Sequence, residues 1–394
     1  MTHHSDLLVL GTGNAGMAAA GIAHREGKSV TLVESRDVGG TCAIRGCVPK
    51  KVLVAAAASL DVIARAGEHA ITTGEVQLDW PALIRRERTF VDGVPDMFKS
   101  SILNRGMTLV TGQAVFIGPN AVEVDSETYT ADKIVIATGS EPATLPIEGW
   151  AHTVTSDDLL TLETLPDEVV FIGGGVIALE FAHVLIRAGA RVTILEAAPR
   201  VLPRLDPDMV DTLVDYTRSL GVKIHTGVSV QSISRQEDSF TVDVVIGDEI
   251  VSLNANLVVN GAGRRSAVEA LDLEAGGITS DRGQIKVDVY TVPAIASVGL
   301  NETAAKAAGF DPVIKVNDLR DWRSAKTYAE AVAFAKVLID PETDLVLGAH
   351  LAGHGAEEVI HLFTLAMKTG MTASELATMT YAYPTFSSDL KFLV

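Results

Sequence analysis

The sequence predicts an α/β fold with two Rossmann-like dinucleotide-binding domains and a C-terminal α+β interface domain. Two separate segments, near Asp6 and near Glu168, each have the pattern of a strand, a glycine-rich turn, a helix and a second strand. From Val292 onward the pattern changes to antiparallel strands and helices. The 394 residues also exceed the roughly 250–300 that one core normally serves, so several domains are expected.

The composition narrows the class of partner. The formal charge of -18, from 32 basic and 50 acidic residues, argues against nucleic acid or an anionic membrane surface. No apolar run reaches the roughly 18 residues of a transmembrane helix. The segment Met1–Asp6 has no basic stretch of the kind that begins a signal peptide, so the cytoplasm is the expected location.

The first nucleotide unit is a complete fingerprint. It consists of an apolar strand, three turn glycines, a helix and a strand that ends in an acid, namely Asp6–Leu10, then Gly11, Gly13 and Gly16, then Ala15–Arg25, Ser29–Val33 and Glu34. Glycines let the backbone approach a pyrophosphate, the helix N-terminus faces it, and the carboxylate accepts ribose hydroxyls. This unit therefore predicts a dinucleotide site.

The only two cysteines, Cys42 and Cys47, follow this unit closely. In a regular helix their Cα atoms would lie about 8 Å apart, whereas a disulfide needs about 4.4–6.8 Å. Bonding therefore requires a distorted turn, for which Gly39, Gly40 and Gly46 supply the freedom.

A helix is predicted over Pro49–Ala66, so the cysteines lie at or just before its N-terminus. Its dipole and the flanking Arg45, Lys50 and Lys51 are expected to favour a thiolate. A catalytic dithiol is the functional interpretation, and a close cysteine pair in a cytoplasm is more often catalytic than structural. The alternatives are two buried small residues or half a zinc site, although no further cysteine or histidine pair accompanies them.

The remainder of the first domain is predicted to be mostly helical over 52–105, with short strands and turns over 107–130. The apolar strand Lys133–Ala137 then leads into Thr138 and Gly139. A small turn after a buried strand permits close backbone approach to a ligand.

The second unit repeats the fingerprint. Its parts are the strand Glu168–Ile172, the small residues Gly173, Gly175 and Ala178, the helix Leu179–Arg187, the strand Arg191–Leu195 and the acid Glu196. A carboxylate in that position accepts the 2′-hydroxyl of NAD and repels the 2′-phosphate of NADP. Glu196 therefore favours NAD, while Arg200 and Arg204 leave NADP open.

The later elements are less diagnostic. Predicted strands are Leu257–Gly263, Ile285–Tyr290, Val332–Ile339 and Asp344–Leu351, and predicted helices are Glu357–Thr369 and Ala373–Met379. Three histidines, His350, His354 and His361, are interpreted as packed or surface residues because no ligand motif accompanies them. The predicted boundaries are 1–145 and 263–290 for the two parts of the first domain, 146–262 for the second and 291–394 for the third.

Both fingerprints, the cysteine pair and the Ala-Thr-Gly turn occur in the order found in one family. The chain resembles the class I pyridine nucleotide–disulfide oxidoreductases, which include dihydrolipoamide dehydrogenase, glutathione reductase and mercuric reductase. The stretch 39–51 (GGTCAIRGCVPKK) carries most of this resemblance. It implies FAD at the first fingerprint, NAD(P)H at the second, a homodimer, and a small-molecule or disulfide substrate.

The resemblance also implies roles for individual residues. Cys47 would be the charge-transfer thiol beside the flavin and Cys42 the interchange thiol, and Lys50 or Lys51 would lie near flavin N5, paired with Glu180. FAD would be held by Gly11, Gly13, Gly16, Glu34, Gly40, Thr41 and Gly139. Cofactor contacts are further expected from Ala114, Thr138, Gly173, Gly175, Ala178, Glu196 and Gly263. Where glutathione reductase-like members carry arginines that mark NADPH use, this chain has Ala197 and Pro203, which favours NAD.

Two departures from the family open alternatives. Disulfide-exchanging members carry a His–Glu dyad near the C-terminus where this chain has Tyr383 and Ser388, and a tyrosine there suggests a mercuric reductase-like metal reductase. After Tyr290 the chain also lacks a Gly-Asp segment of a few dozen residues that would hold the FAD ribityl chain. That gap suggests a non-catalytic, NAD-binding redox sensor or scaffold. The leading hypothesis remains transfer of electrons from NADH through flavin to the cysteine pair and on to an acceptor.

Overall fold

The computed structural model describes residues 1–278, 291–353, 355–383 and 385–394. The predicted strand Ile285–Tyr290 and His354 lie outside these ranges. The mixed α/β architecture agrees with the predicted fold class, with parallel strands at the centre of the main sheets of the first two regions and an antiparallel sheet in the third.

The first region is built around a six-stranded sheet. Its elements are β1 (Thr2–Leu10), α1 (Asn14–Arg25), β2 (Val30–Glu34), α2 (Gly40–Ile44), α3 (Cys47–Ala64), α4 (Trp80–Val91), α5 (Val94–Asn104), β3 (Thr108–Thr111), β4 (Val115–Gly118), β5 (Ala121–Val124), β6 (Glu127–Ile136) and β7 (Ser140–Pro142). The strand order is β3-β2-β1-β6-β5-β4, parallel from β3 to β6 and antiparallel beyond it. Since β1 is central and parallel to both neighbours, its carboxyl end faces a crevice of the kind that binds nucleotides.

The second region contains a four-stranded parallel sheet and a three-stranded antiparallel one. Its elements are α6 (Ser156–Leu160), β8 (Glu168–Ile172), α7 (Val176–Ala188), β9 (Arg191–Glu196), α8 (Pro207–Ser219), β10 (Lys223–Thr226), β11 (Ser229–Arg235), β12 (Phe240–Ile246), β13 (Glu249–Ala255), β14 (Leu257–Asn260) and β15 (Arg264–Ser266). The parallel order is β10-β9-β8-β14, and β15 pairs back to β7 of the first region.

The C-terminal region packs helices on one four-stranded antiparallel sheet of order β16-β19-β18-β17. Its elements are β16 (Ile295–Gly299), α9 (Glu302–Ala307), β17 (Val313–Asp318), α10 (Arg323–Thr327), β18 (Ala333–Ile339), β19 (Val346–Gly353), α11 (Ala356–Thr369), α12 (Ala373–Thr378) and α13 (Leu390–Leu393). The predicted hairpin around Asp340 is confirmed, since β18 and β19 pair directly.

One apolar core joins the first two regions. Leu53 of α3 is fully buried in the same cluster as Leu179 and Phe181 of α7. Burial of this kind contributes roughly 25 cal/mol per Å² of apolar surface, and it holds the helix that follows the cysteines against the helix of the second fingerprint. The sequence-based helix and strand bounds around both fingerprints agree with the structure to within four residues, the largest difference being the start of β1.

Candidate functional site

The first glycine turn leaves no room for side chains. Gly11 has φ of +109°, and a Cβ built there would lie 2.3 Å from the Ala137 carbonyl oxygen. A Cβ on Gly16 would lie 1.9 Å from the Gly11 carbonyl oxygen, and one on Gly40 would lie 2.5 Å from the Gly13 Cα atom. The turn, the start of α1 and the segment before the cysteines therefore approach each other through bare backbone, which is the form of a phosphate cradle.

Glu34 closes this cradle at the carboxyl end of β2. Its Oε2 atom accepts hydrogen bonds from the Thr12 backbone N–H at 2.9 Å and from the Thr12 hydroxyl at 2.6 Å. Its Oε1 atom accepts from the Arg36 backbone N–H at 2.9 Å. The buried carboxylate is thus fixed against the glycine turn, and its role in accepting ribose hydroxyls stays a prediction.

The second turn has the same construction. A Cβ on Gly173 would lie 2.3 Å from the Gly261 carbonyl oxygen. The Glu196 carboxylate accepts from the Gly174 N–H at 2.6 Å through Oε2 and from the Ala198 N–H at 2.7 Å through Oε1. Both predicted acids therefore bind the turn of their own unit.

The other predicted cofactor residues lie at the ends of the parallel strands or beside the turns. Gly139 and Gly263 follow β6 and β14 with φ of +71° and +101°, a backbone shape that favours glycine. Thr138 is half-buried, Ala114 is buried directly before β4, and Thr41 is exposed at the start of α2. Their roles stay predictions.

The two cysteines lie on either side of a helix break. Cys42 lies in α2, Cys47 is the first residue of α3, and Gly46 lies between the two helices. The predicted distorted turn is confirmed, and both thiols are free. Cys47 is exposed and Cys42 is partly so, which rules out two buried core residues. Within the described ranges, no group of three or more potential metal ligands exists that would complete a zinc site.

The expectation of a ready thiolate at the helix N-terminus is wrong in this structure. Although the residue is exposed overall, partial desolvation of its sulfur and a hydrogen bond with Cys42 raise the pKa of Cys47 to about 11, while Lys50 acts in the opposite direction. The raised pKa favours the protonated form of Cys47, whose thiol shares a hydrogen bond with Cys42.

Two of the cations that flank the cysteines, Arg45 and Lys50, form ion pairs with carboxylates. Arg45 pairs with Asp37 and, at 3.5 Å, with Asp157 at the start of α6. The Lys50 ammonium lies 2.7 Å from a Glu180 carboxylate oxygen. These carboxylates balance the positive charges of Arg45 and Lys50. The lowering effect of Lys50 on the pKa of Cys47 is smaller than the raising effect of burial.

The Lys50–Glu180 pair joins the two nucleotide units. Lys50 lies on α3, three residues after Cys47, and Glu180 lies on α7, which begins at the second glycine turn. Glu180 is only 1% exposed, so this ion pair is shielded from solvent. Of the two lysines that the resemblance left open, Lys50 forms the ion pair with Glu180, and its place near a flavin stays a prediction.

A second polar contact between α3 and α7 was missed from the sequence. The Asp61 carboxylate accepts from Arg187 at 2.7 Å and from the Tyr216 hydroxyl at 2.8 Å, and Arg187 also donates to the Val292 carbonyl at 3.1 Å. Although burial opposes it, these hydrogen bonds lower the pKa of Asp61. Polar residues on the apolar helix α7 are the signal that could have revealed this contact.

His183 of α7, also unnoticed in the sequence, is completely buried. Its ring lies 2.8 Å from the Thr217 hydroxyl and 3.0 Å from Arg187. Burial lowers the pKa of His183 to about 3, with the Arg187 charge adding to the effect, so the ring is neutral.

Tyr383 is not brought to the cysteines of its own chain. Its side chain is 62% exposed on the C-terminal region, with the Lys391 ammonium 5.9 Å from the ring centre. Ser388, which replaces the glutamate of the family dyad, is buried and its hydroxyl donates to the Thr385 carbonyl at 2.6 Å. Neither residue forms a hydrogen bond to a thiol in the part of the chain that the structure describes. Among those residues, no helix is long and apolar enough to cross a membrane.

Two nucleotide cradles connected through a dithiol helix define an oxidoreductase that works with dinucleotides and a redox cysteine pair. The chain belongs to the pyridine nucleotide-disulphide oxidoreductase family, whose model matches residues 5–299. The model of that family's dimerisation domain matches residues 285–393. The last region therefore corresponds to the dimerisation domain that the resemblance implied.

Several relatives match along nearly the whole chain. A dihydrolipoyl dehydrogenase of Chlorobaculum parvum is 28% identical, covering 98% of this chain and 95% of that protein. A glutathione reductase of Burkholderia cepacia is 28% identical, with coverage of 98% and 97%. Among solved structures, the Cu(II) complex of the HOCl-induced flavoprotein disulfide reductase RclA from Escherichia coli has 25% identity, a TM-score of 0.86 and 99% coverage of both chains.

Proposed function

We propose that this protein transfers electrons from NADH through FAD to the pair Cys42 and Cys47, and from there to an external acceptor. The observation that carries the proposal is the buried 2.7 Å ion pair between Lys50 and Glu180. It fixes the helix that begins at Cys47 to the helix that begins at the second glycine turn. Donor site and dithiol therefore belong to one rigid assembly, as electron transfer between them requires.

The residues of the first cradle fit FAD. The bare backbone contact between Gly13 and Gly40 suits a diphosphate, and Glu34 is fixed where adenosine hydroxyls would bind. When bound, FAD accepts two electrons as a hydride from the nicotinamide and passes them on in pairs. Lys50 would hold positive charge beside the thiols, and Cys47 would release its proton as the pair reacts.

The second cradle supports NAD over NADP. Glu196 keeps a carboxylate where a 2′-phosphate would need a cation. Arg200 is turned away, because it donates to the Pro207 carbonyl at 2.9 Å and to Asp211 at 3.0 Å. Arg204 is exposed, and within the described ranges its side chain forms no hydrogen bond or ion pair like those of Arg200.

A small disulfide is the proposed acceptor. The reduced pair would attack it, release two thiols and return to the Cys42–Cys47 disulfide, so that one NADH and one proton are consumed for each disulfide reduced. We also propose a homodimer through the dimerisation domain, with Tyr383 near the partner's thiols, and a cytoplasmic location.

Metal-ion reduction is the second candidate. The family dyad that protonates a leaving thiol is replaced by Tyr383 and Ser388, and the RclA structure similar to this chain is a Cu(II) complex. A metal acceptor needs no proton for a leaving thiol. Two Cu²⁺ ions would each take one electron as the dithiol becomes a disulfide and releases two protons.

The test begins with the visible spectrum of the purified protein before and after anaerobic NADH. A flavin spectrum that gains a long-wavelength band on reduction supports FAD, the Cys47 thiol and the NADH site together. Turnover is then compared for lipoamide, oxidised glutathione, Cu²⁺ and Hg²⁺ in the wild type, Cys42→Ser, Cys47→Ser and the control Ser59→Ala.

We expect both cysteine variants to lose about 10²-fold or more of the turnover, by analogy with loss of an essential nucleophile, and Ser59→Ala to keep it. Unchanged turnover in the cysteine variants would refute the dithiol role. A colourless protein that binds NADH would instead support the non-catalytic sensor. The best acceptor in the wild type decides between disulfide and metal reduction.

A further inference from the structure

A cluster of charges lies between the second nucleotide unit and the C-terminal region. Lys336 of β18 is 1% exposed, a rare state for a lysine. Its ammonium lies 3.1 Å from Asp206, 2.7 Å from Asp208 and 3.4 Å from Glu302. Burial opposes the charge, but hydrogen bonds to Asp208 and Asp206 raise the pKa of Lys336. The buried cation is therefore held by carboxylates from both sides of the boundary.

Asp206 belongs to the nucleotide side and has two partners. One oxygen, Oδ1, caps α8 by accepting from the Asp208 and Met209 backbone N–H groups at 3.2 and 3.3 Å. The other, Oδ2, faces Lys336. Because Asp206 is completely buried, it has no water to replace the ammonium as a partner.

The loop 197–205 connects Asp206 to the NADH cradle. At its beginning, the Ala198 N–H binds Glu196 at 2.7 Å. In the middle of the loop, the Leu202 N–H donates to the Gly174 carbonyl at 3.2 Å. Val201 packs closely against Gly174, since a Cβ built on Gly174 would lie 2.5 Å from the Val201 Cγ1 atom. The loop thus holds both the ribose-binding acid and the glycine turn, and its far end is fixed at Asp206.

We propose that Lys336 is a positioning residue for NADH, which sets the shape of the nucleotide cradle from the C-terminal region through Asp206 and the loop 197–205. The inference rests on the proposed function, since it takes the cradle at Glu196 to be the NADH site. It adds a coupling in which the dimerisation domain contributes to NADH affinity without contacting the nucleotide. Lys336 is a positioning residue and not a catalytic one, because its ammonium contacts carboxylates of the protein and reaches the cradle through Asp206.

The test compares Lys336→Met with Lys306→Met. Lys306 also binds Glu302, at 2.8 Å, but it is 60% exposed and its ion pair does not involve Asp206, so it is a matched control. The dissociation constant for NADH is titrated by fluorescence on the FAD-loaded enzyme, with KM, kcat, flavin content and far-UV circular dichroism measured in parallel.

We expect Lys336→Met to weaken NADH binding and raise KM about tenfold, while kcat at saturating NADH and flavin content stay within about twofold. Lys306→Met should match the wild type. A folded Lys336→Met protein with unchanged NADH affinity overturns the proposal. If that variant does not fold, Asp206→Asn decides by the same criterion, because asparagine keeps the helix cap and removes the charge.

Measurements on the wild type distinguish failure of this inference from failure of the proposed function. A wild-type protein that binds NADH, together with unaffected variants, overturns this inference and leaves the proposed function standing. A wild-type protein that does not bind NADH overturns both.

Discussion

The two glycine turns share one hydrogen bond, from the backbone of the turn to an acid, and differ in how closely the following helix approaches the turn. In each, an acid 22 residues after the second residue of the turn accepts that residue's N–H, as Glu34 does from Thr12 and Glu196 does from Gly174. The third small position is Gly16 in the first turn, where a Cβ would lie 1.9 Å from a carbonyl oxygen. The second turn accommodates Ala178 there, completely buried.

This difference teaches which part of the fingerprint is fixed by geometry. The hydrogen bond between acid and turn occurs in both units because it stabilises the turn itself. The size of the residue at the third small position depends on the distance between the helix and the turn. At the first turn, α1 lies too close for any side chain. At the second turn, the Ala178 methyl group fills the space beside Gly261. A Cβ built on Gly261 would lie 3.3 Å from this methyl carbon.

The largest expected effect comes from exchanging the third small residues. Gly16→Ala should leave on the order of a tenth or less of the bound FAD, because the turn or the helix must shift to admit the methyl group. Ala178→Gly only removes a buried methyl group and adds backbone freedom, which costs about 1 kcal/mol. Flavin absorbance per protein and NADH titration of each variant measure the contrast. Equal flavin content in the two variants would contradict it.

A tenfold effect is expected from neutralising the acids. In Glu34→Gln and Glu196→Gln, the amide NH2 group replaces one carboxylate oxygen and faces a backbone N–H whose hydrogen bond that oxygen accepts in the wild type. Each substitution also removes the negative charge from the ribose site. We expect Glu34→Gln to weaken FAD about tenfold and leave NADH unaffected, and Glu196→Gln to do the reverse. Each variant is the control for the other. Loss of both cofactors in either variant would show that the two cradles are not independent.

The smallest effect concerns pH, and it has opposite signs in the two units. Burial raises the pKa of Glu87, on α4 of the first region, to about 7, whereas His183 in the second has its pKa lowered to about 3. Because the carboxyl pKa is raised in the folded protein, the unfolded chain loses the Glu87 proton at a lower pH than the folded chain does. Glu87 therefore reduces the stability of the fold as pH rises from 4.5 to 7. The neutral histidine reduces stability as pH falls from 6.5 towards 3.

Glu87→Gln should therefore raise the Tm by about 2–4 °C at pH 8 and leave it unchanged at pH 4.5. The exposed Glu237→Gln is the control and should change the Tm at neither pH. His183→Gln should flatten the loss of Tm below pH 6. Melting curves at pH 4.5, 6 and 8 measure all three. A Tm gain in Glu87→Gln that is equal at every pH would exclude a titration effect.

The sequence predicted what short stretches determine. Strand, turn, helix and acid lie within 29 residues in each unit, from Asp6 to Glu34 and from Glu168 to Glu196, so both acids could be placed from the local pattern alone. The break between Cys42 and Cys47 was predicted for the same reason, since it follows from the glycines beside them. The pairing of Lys50 with Glu180, 130 positions apart, came only from the family resemblance.

Contacts between distant segments could not be predicted from the residues themselves. Arg45 was expected to lower the pKa of the thiols, but its partner Asp157 lies in another region and has no local signal. Lys336 lies in an otherwise apolar strand, and its acceptor Asp206 is reached only through tertiary packing. The half-exposed sheet β11–β13 also escaped prediction, because only one or two residues of each strand are fully buried.

The acids of the two cradles have a consequence for the entropy of cofactor binding. A glutamate on an open surface loses rotamer freedom when a ligand orders it, at a cost of roughly 0.5–1.5 kcal/mol. Glu34 and Glu196 have already lost that freedom, since backbone N–H groups bind both oxygens of each carboxylate. The cost was met during folding, so each nucleotide finds an acceptor that is already in place.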